Sequence, residues 1–383
     1  MGSHPRASLP CCSCSGNEKG MGGPIGAVEF RGADVPWVSL GPFLDAAARL
    51  CAACMCHVAL HGAASVGVSV PKYSVTEVVD FSQCHALTAV DLSTAITVTK
   101  LGNGVFRGCH SLTTVDLSGM VNVTSIGRGF LAECTAIVSI DLRPLTSVTS
   151  IGDSFVSGCY SLTAADLSGL VNVTRIGNWF LSGCRNLTSI DLSALANIAS
   201  IPNLFLRGCR TLTAVDLSAL RRVSFIGDEF LSDCRRITSI DIGSLLSQVT
   251  SIRKDFLSGC RSLTAVDLSA LSRVQWIDDD FMRKCVLLAE VDLRNMRAVK
   301  HIGRRFLSGC SRLRRVALMQ SAPIETVGAS FLEGCEFIEV IHSWPDAPDA
   351  LLRALASTTH REAVRLEERA GDDGLVRCCV QGG

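Results

Sequence analysis

The sequence predicts an α/β solenoid, a right-handed coil with one parallel strand and one helical turn in each 25-residue unit. One cysteine position recurs at this spacing from Cys84 to Cys335, apart from a single extra residue between Cys234 and Cys260. The same apolar positions recur inside every interval, so the unit is repeated ten times. Apolar residues make up 48 % of the chain and aromatic residues only 5 %. This balance suits a narrow interior filled by aliphatic side chains.

The strand of each unit is predicted from the segment Leu-Thr-x-Val-Asp-Leu, which begins three residues after the cysteine. The end of this segment alternates apolar and polar residues, as Val266, Asp267 and Leu268 do. A period of two is typical of a short strand with one buried face. Neighbouring units are therefore expected to pair their strands in parallel, ~4.8 Å apart.

A bend is predicted at the segment Val-x-x-Ile-Gly that follows the strand. Its glycine is expected to permit backbone angles that other residues resist. This glycine recurs as Gly127, Gly152, Gly177, Gly227 and Gly303.

The end of the unit, x-x-Phe-Leu-x-Gly-Cys, predicts one helical turn with the phenylalanine and the cysteine facing inward. Eleven of the 19 cysteines share the repeat position, which indicates a column of small buried thiols that a reducing compartment tolerates best. No unit buries its apolar side alone, so neighbouring units must stack.

These motifs resemble a known family. The pattern Leu-x-x-Val-x-Leu resembles the strand signature of leucine-rich repeats, and Ile-Gly-x-x-Phe-x-x-x-Cys is similar to the BspA-like class of those repeats. The resemblance covers residues 84 to about 343, although the unit here is slightly longer than is usual for that class. It implies a ligand-binding scaffold of the kind found in surface adhesins and in intracellular adaptors, and it names no ligand.

Four segments are predicted along the chain. They are a disordered Cys- and Gly-rich segment at 1–34, a helical cap at 35–83, the solenoid at 84–343 with ten full repeats and a partial one, and a C-terminal helical cap and tail at 344–383. Caps are expected because terminal coils would otherwise expose apolar strands. In the C-terminal cap a helix can start at Pro348.

Several alternatives remain open for the N-terminal cap. It resembles a degenerate F-box, with a proline, a Phe-Leu pair and a three-residue group at Pro36, Phe43, Leu44, Met55, Cys56 and His57. That resemblance implies a substrate receptor of a ubiquitin ligase. The stretch 50–70 carries no Lys, Arg, Asp or Glu, so a membrane span is a second alternative.

Two further hypotheses concern the N-terminal cysteines. A zinc site would use Cys51, Cys54, Cys56, His57 and His61. The paired Cys-x-x-Cys knuckles of strong zinc sites are missing there, so no metal site is predicted. Acylation of Cys11, Cys12 and Cys14 would anchor the chain to a membrane, an alternative that we do not favour.

A row of aspartates follows the predicted strands, and strand alternation points it outward on the concave face. It consists of Asp91, Asp116, Asp141, Asp166, Asp191, Asp216, Asp241, Asp267 and Asp292. Neighbouring carboxylates about 5 Å apart repel by roughly 1 kcal/mol in water. Three explanations stay open: hydrogen bonds from recurrent Ser and Thr, a basic partner, or bridging by a hard cation.

The aspartate row breaks at Ala317, close to a cluster of basic residues. This predicted basic patch consists of Arg294, Arg297, Lys300, Arg304, Arg305, Arg312, Arg314 and Arg315. It is interpreted either as a solvated charged end or as a docking site for an acidic partner. A second basic line recurs directly after the cysteine and is interpreted as a solvated stripe, namely Arg185, Arg210, Arg235 and Arg261.

Trp179 and Trp276 stand at variable positions of the repeat, which indicates exposure. They are expected either to anchor an interface or to pack on a neighbouring coil.

The sequence predicts an interaction protein and no enzyme. No nucleophile stands with a base and an orienting acid, no phosphate-binding glycine loop occurs, and no cofactor is expected. The 36 basic residues balance the 36 acidic ones, and no aromatic platforms accompany the arginines, which argues against nucleic acid. Residues 1–20 lack the apolar core of a signal peptide.

The prediction is therefore a cytoplasmic, monomeric scaffold that binds another protein through its concave strand face. A ubiquitin-ligase receptor and a membrane-associated surface adhesin are the alternatives.

Overall fold

The fold is taken from a computed structural model of the chain. It describes residues 37–39, 66–69, 77–78, 82–243, 248–317, 322–336, 338, 340–342, 348–358, 364–368 and 376–380. The N-terminal segment 1–34, the F-box-like residues, the candidate zinc ligands and Cys11, Cys12 and Cys14 lie outside these ranges. Among the described residues, no helix combines the length and the apolar character that a bilayer crossing requires.

The chain forms a parallel-strand solenoid of about nine turns, and the predicted coil of stacked repeats is confirmed. Most coils contribute short strands to two ribbons, whereas the coils of Asp191 and Asp216 have a strand in the second ribbon only. The first ribbon ends at the aspartates, and its strands are Leu87–Asp91, Thr114–Asp116, Ser139–Asp141, Ala164–Asp166, Ser239–Asp241, Ala265–Asp267, Glu290–Asp292, Arg315–Ala317 and Val340–His342. Trp37–Ser39 and Val66–Ser69 extend it at the N-terminal end.

The second ribbon lies at the predicted bend and contains two-residue strands. They are Glu77–Val78, Lys100–Leu101, Ser125–Ile126, Ser150–Ile151, Arg175–Ile176, Ser200–Ile201, Phe225–Ile226, Ser251–Ile252, Trp276–Ile277, His301–Ile302 and Thr326–Val327. Both ribbons pair equivalent residues of successive coils, as Asp141 pairs with Asp166 and Ile277 with Ile302. Equal registers place each repeat position in a straight column along the stack.

The interior consists of such columns. Phenylalanine rings stack from Phe130 to Phe331 with centroids 5.0–6.1 Å apart. The cysteines beside them are free thiols, and all are buried except the half-buried Cys335. Each thiol from Cys134 onward donates to a backbone carbonyl of the preceding coil, as Cys184 does to Val156 at 3.1 Å. The inward phenylalanine and cysteine columns are thus confirmed.

The predicted helical turn in each unit is wrong. This segment is a chain of tight turns in which every second residue has a positive φ, for example Trp179 at 58°, Leu181 at 51° and Gly183 at 75°. An α-helix needs negative φ at every residue. The backbone N–H groups bond between coils instead, with Trp179 donating to Asn203 and Leu181 to Phe155, both at 3.0 Å.

The predicted role of the bend glycine is also wrong. None of Gly127, Gly152 and Gly177 has a positive φ, so the angles do not require glycine. The position requires it because the neighbouring coil lies too close. A Cβ on Gly127 would lie 2.5 Å from the carbonyl carbon of Gly102, a distance that no side chain tolerates.

The turn segment makes a testable prediction at its last residue. Lys284 has a φ of 58°, whereas other coils place Gly183, Gly208 and Gly259 there with φ of 70–75°. Left-handed backbone costs a residue with a Cβ about 1–2 kcal/mol. We therefore expect Lys284→Gly to raise the free energy of unfolding by about 1 kcal/mol, measured by urea denaturation.

The reverse substitution is the control for Lys284→Gly. A Cβ on Gly183 would lie 3.7 Å from the nearest atoms of Gly158, so Gly183→Ala introduces no steric clash. Its only cost is the strain of a positive φ in a residue that has a Cβ. We expect a loss of about 1 kcal/mol. If Lys284→Gly proves less stable than the parent chain, the positive φ values of this segment are wrong.

The helical caps are not supported. At the N-terminal end, the described residues of 35–83 form the strands Trp37–Ser39, Val66–Ser69 and Glu77–Val78 and a turn at 82–83. At the C-terminal end one α-helix, Asp349–Thr358, follows Pro348, and Leu351 is buried against the last coils. Beyond it, Val364–Glu368 and Val376–Val380 form an antiparallel pair that joins the first ribbon through Val340 and Arg377. Strand pairing therefore contributes to closing the C-terminal edge. Short 3-10 turns occur at Met120–Asn122, Ser193–Leu195 and Leu271–Arg273, and Gly243 is α-helical.

Candidate functional site

The aspartate row has one carboxylate per coil, at the end of a first-ribbon strand or, for Asp191 and Asp216, at the equivalent position of a coil without that strand. All its members are exposed except Asp91, which is half-buried. In every coil the aspartate Oδ1 accepts a hydrogen bond from the backbone N–H two residues later, at 2.8–3.0 Å. The donors are Ser93, Ser118, Arg143, Ser168, Ser193, Ser218, Gly243, Ser269 and Arg294. This turn ends the strand and fixes the direction of each carboxylate.

Local hydrogen bonds also stabilise the charged forms of Asp166 and Asp216. The Ser168 hydroxyl and then its backbone N–H lower the pKa of Asp166. At Asp216 the backbone N–H of Ser218 is the larger cause and the hydroxyl the smaller one. The recurring local donor is thus a backbone N–H, which Arg143, Gly243 and Arg294 supply as well as the serines.

These lowered pKa values give Asp166 and Asp216 a pH-dependent contribution to stability. A carboxyl whose pKa is depressed on folding stabilises the fold fully above its ordinary value of about 4, and the contribution is lost as the pH falls through the folded value. We expect the melting temperature to fall below about pH 4, and to fall less steeply in the Asp216→Asn variant.

The Asp216→Asn variant also separates charge from the turn hydrogen bond, because the asparagine Oδ1 can still accept from Ser218. At neutral pH we expect Asp216→Asn to melt close to the parent chain and Asp216→Ala to melt lower. Equal melting temperatures for the two variants would contradict the turn hydrogen bond.

Two arginines show how this row binds a guanidinium. Arg143 contacts both oxygens of Asp141, with Nε 3.0 Å from Oδ1 and Nη2 2.7 Å from Oδ2. Arg294 repeats this geometry on Asp292, at 3.0 and 2.6 Å. Each carboxylate keeps its turn hydrogen bond at the same time. The Nε of Arg143 also lies 3.6 Å from Asp166.

Between these arginines lies a stretch that we call the central row, namely Asp191, Asp216, Asp241 and Asp267. Within it the residues beside the aspartates are small. Those two positions before are Ser189, Ala214, Ser239 and Ala265, and those two positions after are Ser193, Ser218, Gly243 and Ser269. Each aspartate of the central row is therefore exposed and has small residues two positions before and after it.

The sequence itself matches a family model described as "BspA type Leucine rich repeat region", over residues 75–213, 145–248 and 224–345. These ranges span well over half of the chain. The chain belongs to the BspA type of leucine-rich repeat proteins. None of the curated proteins matches the sequence.

Three crystal structures of leucine-rich repeat proteins are similar to the chain. A protein from Bacteroides ovatus is 21 % identical, with 83 % of this chain and 93 % of that chain covered and a TM-score of 0.36. A leucine rich cell surface protein from Faecalibacterium prausnitzii is 19 % identical, with 77 % of this chain and 82 % of that chain covered and a TM-score of 0.39. A leucine-rich repeat protein from T. pallidum is 14 % identical, with 87 % of this chain and 94 % of that chain covered and a TM-score of 0.24.

The predicted basic patch is spread around the leucine-rich repeat coils. Arg294 follows the first ribbon, whereas Arg304 and Arg305 follow the second, because each coil turns the chain through the whole circumference. Acids neutralise several members: Asp280 binds Arg305 at 2.6 Å, and Glu290 binds Arg315 at 3.1 Å. Of the others, Arg297, Lys300, Arg312 and Arg314 are exposed. A docking role for this set stays a prediction.

The exposure expected of the tryptophans is observed, since Trp179 and Trp276 are 42 % and 45 % exposed. Trp276 also packs on His301 of the next coil, with ring centroids 3.8 Å apart. Sequence reasoning missed Phe225, which is exposed at the same repeat position as Trp276. An aromatic residue at a position that usually holds Ser was the available signal.

The described part of the leucine-rich repeat chain holds no group of His, Cys, Asp or Glu residues arranged for a metal ion. Cation bridging along the aspartate row therefore gains no support. The carboxylates are instead arranged as single acceptors, each able to take one bidentate guanidinium, as Arg143 and Arg294 show.

Proposed function

We propose that this protein is a leucine-rich repeat scaffold that binds a basic protein surface along its aspartate row. The observation that carries the proposal is the pair of guanidinium contacts at Asp141 and Asp292. They show that a carboxylate of this row binds an arginine while its turn hydrogen bond stays in place. The central row repeats the same carboxylate geometry in coils that carry no arginine two residues later.

The physical basis is charge and shape together. Bidentate arginine–carboxylate pairs are stronger and more directional than single contacts. One exposed pair contributes little, but several pairs in one register add both affinity and orientation. Small residues beside the central row let a partner approach closely. We place the protein in the cytoplasm, where the thiols of the cysteine column would stay reduced.

A binding experiment with a fluorescein-labelled hexa-arginine peptide tests the proposal by anisotropy. The variant Asp191→Asn plus Asp216→Asn removes two charges of the central row and keeps the turn acceptors. We expect it to weaken binding about three- to tenfold and to reduce the dependence of affinity on salt. A hexa-lysine peptide should bind more weakly, because ammonium groups cannot bind in the bidentate manner.

The matched control is Asp141→Asn, since Arg143 already neutralises Asp141. We expect this variant to bind the peptide nearly as the parent chain does. If the double variant keeps both the affinity and the salt dependence of the parent chain, the row does not bind basic partners and the proposal fails.

A further inference from the structure

A line of arginines recurs directly after the cysteine, in the same coils that form the central row. Its members are Arg185, Arg210, Arg235 and Arg261, and we call it the arginine line. Each of these coils therefore carries one arginine and, six residues later, one aspartate. The coils at both ends differ: those of Asp141 and Asp292 hold Thr135 and Val286 in the arginine position.

The arginine line has few acidic neighbours. Arg185, Arg210 and Arg261 are exposed, and among the described residues none of the three forms an ion pair. Arg185 stacks on Tyr160, with the guanidinium carbon 4.4 Å from the ring centroid. Arg235 contacts an acid, with Nη2 3.4 Å from Oδ1 of Asp233. Its Nε is buried without a hydrogen-bond partner.

Two lines of opposite charge thus run along the same four coils. In both lines, neighbouring members are separated by the distance between one coil and the next, which is ~4.8 Å where strands pair. The arginines and the aspartates therefore have the same spacing. When one arginine of the line meets one aspartate of another copy, the neighbouring pairs come into register with it. A protein of unrelated fold would have this spacing of basic residues only by coincidence.

From this we infer that the basic surface bound by the central row is the arginine line of a second copy of this chain. In a two-fold dimer each copy offers its aspartates to the partner's arginines and receives the reverse contact. Arg143 and Arg294 make in one chain the contact that the partner's arginines make between chains. The inference rests on the proposed function and replaces the monomer expected from the sequence.

The test measures mass by light scattering after size exclusion, in the presence of a reducing agent. We expect twice the mass of one chain at about 0.1 M NaCl and a single chain at about 1 M, since added salt screens exposed pairs. Two charge-reversed proteins are then compared: Asp191→Lys plus Asp216→Lys, and Arg185→Glu plus Arg210→Glu. Each alone should be monomeric at low salt, and an equimolar mixture should recover the dimer.

Two further variants keep the test decisive. Arg222→Glu plus Arg273→Glu makes the same charge change outside both lines, at arginines that bond Asn197 and Gln248, and should leave the dimer intact. Asp191→Asn plus Asp216→Asn keeps the turn acceptors, so it should fold normally and weaken the dimer several-fold. Far-ultraviolet circular dichroism confirms that each variant is folded.

The outcomes separate the two claims. If the parent chain is monomeric at low salt but still binds the hexa-arginine peptide, the dimer is wrong and the proposed function stands. If it neither dimerises nor binds the peptide, both are wrong. A dimer that survives both charge reversals uses another surface, and it also overturns the inference.

Discussion

Phe205→Ala is expected to lower the free energy of unfolding by about 3–5 kcal/mol, the usual cost of deleting a buried aromatic ring. Phe205 is fully buried and lies between Phe180 and Phe230, with centroids 5.5 and 6.1 Å away. The ring fills the narrow interior between neighbouring coils, so the cavity has few ways to collapse. Urea denaturation measures the loss, with an unchanged slope showing that the transition remains cooperative.

Phe225→Ala is the matched control, because Phe225 lies in the next coil and is 47 % exposed. Its removal from the surface should change stability by only about 0.5 kcal/mol. If both alanine variants cost the same, the phenylalanine column does not form the core.

The second large effect is expected at Gly177. A Cβ there would lie 2.5 Å from the carbonyl carbon of Gly152 and even closer to the backbone nitrogen of Asp153. Both are main-chain atoms held in the preceding coil, so neither can move away as a flexible side chain would. We expect Gly177→Ala to cost about 1–3 kcal/mol, as overpacking does in well-packed cores.

Gly183→Ala separates this clash from backbone strain, because its Cβ has room and its φ of 75° is positive. We expect Gly177→Ala to be the more destabilising of the two. Comparing thermal unfolding of the two variants checks the order, and the reverse order would mean that neighbouring coils do not approach each other at the bend.

The repeat could be predicted from the sequence because its signal is redundant. An apolar or cysteine residue that returns at a fixed interval has the same neighbours in every coil, so the columns through Phe205 and Cys184 follow from periodicity alone. The exposed aspartates follow in the same way, since each stands between two inward residues of a short strand.

The turn segment and the bend glycine could not be predicted correctly, for two different reasons. An adjacent apolar pair such as Phe180 and Leu181, with a glycine two residues later, fits a helical turn as well as a series of tight turns. The φ values distinguish the two. The role of Gly177 depends on a distance to the preceding coil. Neither the composition nor the spacing of residues in the sequence reveals how closely two coils approach each other.

The candidate site was predicted in part for similar reasons. The aspartate row was found because it follows the period, whereas Arg143 on Asp141 was missed because it departs from the period. That contact had a signal, since an arginine two residues after the aspartate can reach back to it. Residues such as Arg294 and Arg305 are close in sequence but lie on different sides of a coil, so sequence clustering overstated the basic patch.

The central claim is that one continuous interior, closed by stacked coils, contains the cysteine column. Burial raises the pKa of the Cys159 and Cys234 thiols to about 12 and that of Cys184 well above its usual value, and only a thiolate reacts readily. Timed alkylation with iodoacetamide, read out by peptide mass spectrometry, should therefore leave these three thiols unmodified in the folded chain and modify them rapidly in urea. Alkylation of Cys159, Cys184 and Cys234 in the folded chain at the rate of the unfolded one would contradict the stacked interior.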